Sequence, residues 1–172
     1  TYTKRPVLVD IVSYFPATFE LVLMSGLLMI LIGMPLGILS GKFKNSIIDN
    51  VARLISLLGV VTPSFLWAII LMLIFAFWFP ILPVSERMNE ALDPPTLVTG
   101  LLLVDSLLEG NFKVFGDAFL HLILPGLAIA LPAIGNVARL TRTNLSDVYE
   151  KQYIEFAKSY SFSEYRIATK YA

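Results

Sequence analysis

Cysteine is absent from the 172 residues, which excludes a disulfide framework, a thiolate metal site and a cysteine nucleophile. Histidine occurs once, as His121, and no histidine stands beside the acidic pair Asp105 and Glu109 to complete a metal site. Charge is scarce at 15%, and thirteen basic residues balance thirteen acidic ones, so there is no bulk electrostatic footprint for nucleic acid. No Gly-x-x-x-x-Gly-Lys loop is present, so nucleotide binding has to come from another chain. Nothing in this inventory marks a catalytic residue. What fills the sequence instead is apolar: 56% hydrophobic residues and a mean hydropathy of +0.75, far too apolar for a disordered chain.

The spacing of the few charges defines the architecture. Leu21 to Gly41 is a run of 21 residues without a titratable side chain. At about 1.5 Å per residue it matches a hydrocarbon core about 30 Å thick. A second charge-free run, Leu54 to Ser85, carries Pro63, Pro80 and Pro83, and a third, Ala118 to Ala138, is interrupted only by His121, Pro125 and Pro132. The expectation is an all-α membrane protein, a bundle with spans at about 20–41, 54–79 and 118–138 and an outer loop at 80–117. Pro94 to Val104 is too short to cross and reads as a re-entrant or surface-lying helix. Residues 1–19 form an amphipathic helix lying along the membrane before the chain turns in.

Basic residues in short loops stay in the cytoplasm. Segment 42–53 has three basic residues to one acidic, loop 80–117 two to six, and the tail from Arg139 six to four. The 42–53 loop and the tail are therefore expected inside, the 80–117 loop and the N-terminus outside. An outside N-terminus implies an earlier span that this chain does not contain, and the tail stops within a helical pattern.

Gly33, Gly37 and Gly41 recur at every fourth position, with Gly26 one heptad before Gly33 and Pro35 in the same face. Such a face lets two helix backbones approach closely in lipid. It is either a fixed packing seam or a hinge in a bundle that rocks. Thr62 and Ser64, beside Pro63, either line a pathway or bond within their own helix. Asp105 and Glu109, at i and i+4, read as a solvated face, and His121 as a structural hydrogen bonder. In the tail, Tyr153, Phe156, Ala157 and Tyr160 share a helical face, and Ser161 with Glu164 forms a capping box that starts a second helix. A cytoplasmic helix-turn-helix follows, suited either to a groove in a soluble partner or to rest on lipid headgroups.

The stretch YIEFAKSYSFSEYR resembles the EAA loop of ABC-transporter permeases, and LPAIGNVARLTRTNLSDV resembles the segment leading into it in the dipeptide/oligopeptide branch. FPATFELVLMSGLLMILIGMPLGILSG, SLLGVVTPSFLWAIILMLIFAF and LLVDSLLEGNFKVFGDAFLHLILPGLAIALP are similar to that branch in the same order, so the resemblance covers essentially the whole chain as a central part of one permease transmembrane domain. It implies a non-catalytic permease of an importer for di- or oligopeptides or related solutes, in the cell's inner membrane. Its implied partners are a second permease, ATPase subunits that hold ATP and Mg, an external solute-binding protein and membrane lipid, with no cofactor in this chain. Residues 150–172 would then be the coupling loop, with Tyr153, Phe156, Ala157, Tyr160, Ser161 and Glu164 at the ATPase and Lys158 and Arg166 at the rim. Serine at 161 replaces the family's usual turn glycine, and Tyr171 stands where histidine is common. Nickel and oligosaccharide importers share the pattern, and a membrane scaffold or signalling protein with a docking tail is the reading from outside transport.

Overall fold

The structure is a computed structural model that describes residues 6–149 and residue 151. Every regular element among them is helical: α1 (Val7–Lys42), α2 (Ile47–Val61), α3 (Ser64–Met72) running on into π-helical turns at Leu73–Trp78, α4 (Leu102–Leu108) and α5 (Phe112–Tyr149). Two helices, α1 and α5, are each long and apolar enough to cross a membrane. α2 with α3 makes a third only if the pair counts as one broken span.

Several boundaries differ from the sequence expectation. The N-terminal segment does not form a separate surface helix: α1 is continuous for 36 residues, because neither Pro16 nor Pro35 ends it. A helical proline removes one hydrogen bond, a loss that the flanking turns absorb here. α5 likewise runs 38 residues, beyond both ends of the apolar run at 118–138. The second apolar run is not one helix. Its helix begins earlier, at Ile47, and breaks where Thr62 (ψ 125°) and Pro63 (ψ 145°) are extended. The residue before a proline is driven out of the helical region, which places the break there. Pro94 to Val104 is mostly irregular backbone, and only its end enters α4, whose seven residues are too few to lie as an independent surface helix.

The chain divides into two compact units. The first comprises Thr1–Leu28 and Pro63–Ala130. Its core is built from Met24 of α1, Leu71 of α3 and Val114, Ala118, Leu124, Ala128 and Ala130 of α5, all buried. α4 ends at a left-handed Gly110 (φ 74°), with Gly110 N donating to Leu107 O and Asn111 N to Ser106 O, a Schellman stop. Asn111 then caps α5 by accepting from Val114 N at 3.2 Å.

The second unit comprises Met29–Thr62 and Leu131–Ala172. Here small residues set the helix contacts. A Cβ on Gly33, Gly37 or Gly41 would meet Val137, Thr141 or Leu145 at 3.1, 2.5 or 3.0–3.1 Å. The two series advance together in steps of four, so α1 and α5 run parallel along a glycine seam. α2 packs on α5 in the opposite sense: a Cβ on Gly59 would lie 2.8 Å from the Leu131 carbonyl oxygen, and one on Gly135 2.5 Å from that of Ser56. The face α2 buries is Asp49, Ala52, Ser56 and Gly59, while Leu54, Leu57, Leu58 and Val61 are exposed. Small and polar inside with large and apolar outside inverts a water-soluble helix. It is the arrangement expected where lipid or another apolar surface replaces water.

Candidate functional site

The best-built constellation in the second unit converges on Asp49. The short α1–α2 connection turns at Asn45 in the left-handed region (φ 64°), a conformation asparagine tolerates, and Ser46 caps α2 by accepting from Asp49 N at 3.2 Å. Asp49, in the first turn of α2, is 0% exposed. Its carboxylate accepts from Arg142 Nε (2.6 Å) and Nη2 (2.9 Å), from Ser40 Oγ (2.6 Å) and from Asn45 N (2.9 Å). Arg53 Nη2 adds an ion pair to Asp49 Oδ2 at 3.3 Å. α1, the connection, α2 and α5 are thus tied at one atom group. A forked arginine–carboxylate pair with its remaining lone pairs satisfied is the arrangement in which a buried charge pair offsets its desolvation. It sits on α5 seven residues before Tyr149, where that helix ends.

In the first unit four carboxylates organise the segment between α3 and α5. Glu20, buried on α1, accepts from Arg87 Nη2 at 2.6 Å and from Leu103 N at 2.7 Å. Asp117 accepts from Asn89 N at 2.6 Å. Asp105 is not a solvated residue as its i, i+4 spacing with Glu109 suggested. It is buried and accepts from the Thr99 hydroxyl (2.7 Å) and from the N–H groups of Val98, Thr99 and Gly100, the last in a left-handed turn (φ 81°). The Thr99 hydroxyl foremost, with the three amides, holds its carboxyl below the usual range against the opposing effect of desolvation. Glu109 accepts from Thr96 N at 3.1 Å. His121 Nδ1 lies 2.8 Å from the Asp117 carbonyl oxygen, to which it donates, a structural hydrogen bond.

Of the residues singled out from sequence, Gly33 and Gly37 lie buried in the α1–α5 seam. Pro35 does not share it: it is exposed on the other side of α1, since two residues along a helix turn the side chain away. Gly26 is outside the seam too, with nothing within 4 Å of a Cβ there. Thr62, Pro63 and Ser64 form the α2–α3 break, Thr62 half-buried and the other two exposed. Tyr153, Phe156, Ala157, Tyr160, Ser161 and Glu164 lie outside the described residues. Asp49, Gly59 and Gly135 were not singled out from sequence. The Ser46-x-x-Asp49 capping spacing was the available signal for Asp49, and nothing local marks the two glycines.

Regular structure that is helical throughout the described residues, with two helices of spanning length, glycine-seamed packing and large apolar side chains turned outward, defines a polytopic membrane protein. Residues 33–172 match the family described as binding-protein-dependent transport system inner membrane component, and the chain belongs to that family, as part of a multi-pass inner-membrane protein. It is 41% identical over 170 residues to the probable D,D-dipeptide transport system permease protein DdpB of Escherichia coli, covering 99% of this chain and 50% of that protein. It is 35% identical over 152 residues to the dipeptide transport system permease protein DppB of Alkalihalophilus pseudofirmus, covering 88% and 45%. The putrescine export system permease protein SapB of Escherichia coli is 28% identical over 170 residues, covering 97% and 53%. The chain spans about half the length of these curated relatives.

Proposed function

We propose that this chain is part of a permease subunit of an ATP-driven importer for dipeptides. It carries no catalytic residue and no cofactor of its own, and works with a second permease, ATPase subunits that bind ATP and Mg, and an external solute-binding protein. The observation that carries the reading is the 41% identity along almost the entire chain to a protein described as a D,D-dipeptide permease. Segment 42–53 and the tail face the cytoplasm on this reading, in keeping with their excess of basic residues.

The mechanical logic rests on α5. A motor that closes on nucleotide has to move spans that have no chemistry of their own. The segment from 150 to 172, with Tyr153, Phe156, Ala157 and Tyr160 as its buried contact and Ser161 and Glu164 at its turn, would be the gripped lever. It follows α5 in sequence, and Arg142 joins α5 to Asp49, so a push on the lever would be delivered to α1 and α2 together. Gly33 and Gly37 let α1 and α5 move as a closely fitted pair, while Pro35 and the Thr62–Pro63–Ser64 break are the hinge or pathway positions.

The test is ATP-dependent uptake of labelled D,D- and L,L-dipeptides into vesicles holding the full-length protein with its partners, beside labelled putrescine. Dipeptide uptake is expected, and Ala157→Glu should abolish it while ATP hydrolysis continues. Absence of dipeptide uptake overturns the solute assignment, and undiminished uptake by Ala157→Glu overturns the lever.

A further inference from the structure

Next to the Asp49 constellation, and wholly within the second unit, lies a cavity of about 380 Å³ whose walls are mainly apolar, from Ala52, Leu57, Val60 and Ala138. Ser40, Ser56 and the Asp49-bound Arg142 also line it, and Arg53 and Arg139 stand at it. Both mark the ends of apolar runs: Arg53 immediately precedes the charge-free run that starts at Leu54, and Arg139 immediately follows the run that ends at Ala138. The arginines therefore sit at the depth where hydrocarbon gives way to headgroups.

Arg139 has no acidic partner among the described residues, and Arg53 shares its one partner, Asp49, with Arg142. Asp49, the acidic group nearest by, is 0% exposed and already forked by Arg142. The Arg53 side chain is half exposed, gives Nη2 to Asn50 Oδ1 at 2.6 Å and pairs with Asp49 Oδ2 at 3.3 Å, while among the described residues Arg139 makes one long bond of 3.4 Å to Asn136. A guanidinium has five N–H donors, so both retain several for an oxyanion. The apolar walls continue outward into Leu54, Leu57 and Val61, which are exposed on α2.

We propose that this cavity is a binding site for an anionic phospholipid, its phosphate held between Arg53 and Arg139 and the upper part of one acyl chain lying against Leu57, Val60, Ala52 and Ala138. A basic pocket between helices at the membrane edge suits that headgroup chemistry. A zwitterionic solute fits worse, because its ammonium would need an acceptor and the carboxylate at hand is saturated and closed off. The same argument disfavours a phosphatidylethanolamine headgroup.

The experiment is native mass spectrometry of the full-length protein in its complex, purified in detergent and titrated with cardiolipin, phosphatidylglycerol or phosphatidylethanolamine. Retention of the two anionic lipids over the ethanolamine lipid is expected. The Arg53→Gln/Arg139→Gln pair should weaken anionic-lipid binding about tenfold, and the Arg53→Lys/Arg139→Lys pair should keep most of it. Because both side chains are at the surface, intact assembly of the glutamine pair is checked by its mass in the same spectra, and Leu57→Trp, which fills the slot without altering charge, should also displace lipid. Equal binding of all three lipids, or undiminished anionic-lipid binding in both the glutamine pair and Leu57→Trp, overturns the site. Displacement of the lipid by a dipeptide or by inorganic phosphate alone would assign the cavity to a soluble anion and likewise overturn it.

Discussion

Arg142 grips Asp49 with two hydrogen bonds, of 2.6 and 2.9 Å, across 93 residues of sequence. The acid is fully buried and the base only 20% exposed at its side chain, so neither can turn to water when the other is removed. Asp49→Leu alone should cost about 3–5 kcal/mol, whereas Asp49→Leu with Arg142→Met should cost clearly less, since an apolar pair leaves no stranded charge. Thermal unfolding of the full-length protein in detergent measures both. A double-variant loss equal to the sum of the Asp49→Leu and Arg142→Met losses would show that the pair is not coupled.

The glycine contacts grade by what an added methyl group would strike. Gly135→Ala drives a Cβ to 2.5 Å from a backbone oxygen that cannot swing aside, and should cost about 1–3 kcal/mol. Gly26→Ala meets nothing and should be neutral or mildly stabilising through helix propensity. Similar unfolding temperatures for the two variants would mean the α2–α5 approach is looser than this.

Glu20 holds the far segment through Arg87 and Leu103 N. Arg87→Ala removes one of these and leaves a buried carboxylate with a single donor, a loss of about 1–3 kcal/mol that falls on the segment rather than on the helices. Limited proteolysis between residues 80 and 101 should quicken. Unchanged cleavage there would place the anchoring elsewhere, with Asp117 and Asn89 the next contact to test.

Asp105 makes the local order of residues 98–100 depend on pH. Its folded value lies below the ordinary 3.8, so the stabilisation is complete above that value and is lost as pH falls through the lower folded one. Protection of the Val98, Thr99 and Gly100 amides, relative to their intrinsic exchange rates, should fall over that acidic window, and Asp105→Asn should remove this pH dependence while lowering protection at neutral pH. A pH dependence that survives in the variant would point to another carboxylate.

Much of the helical plan was legible in advance. The runs beginning at Leu21 and Ala118 lie inside α1 and α5, because transfer of each apolar residue out of water is a local free energy that sums along the chain. The ends were not legible: α1 and α5 run several turns past their apolar runs, since a helix once nucleated extends through polar sequence at little cost. From the apolar run alone Pro63 falls within a single span at 54–79, and the helix breaks there instead, because a proline drives the residue before it out of the helical region. The four-residue glycine step was legible as a seam, but Pro35 and Gly26 were wrongly assigned to the same face, because the partner helix selects which positions are covered. Asp105 looked solvated from its spacing with Glu109, and only the loop folding back upon it supplies its four donors.

Composition and the order of apolar runs suffice to make this a helical, lipid-facing chain, since hydrophobic transfer needs no knowledge of neighbours in space. Which buried acid meets which base, which glycine receives a backbone and where a basic-edged slot opens were decided only when distant segments packed. Those are pairwise energies between residues such as Asp49 and Arg142, and no stretch of sequence contains both terms.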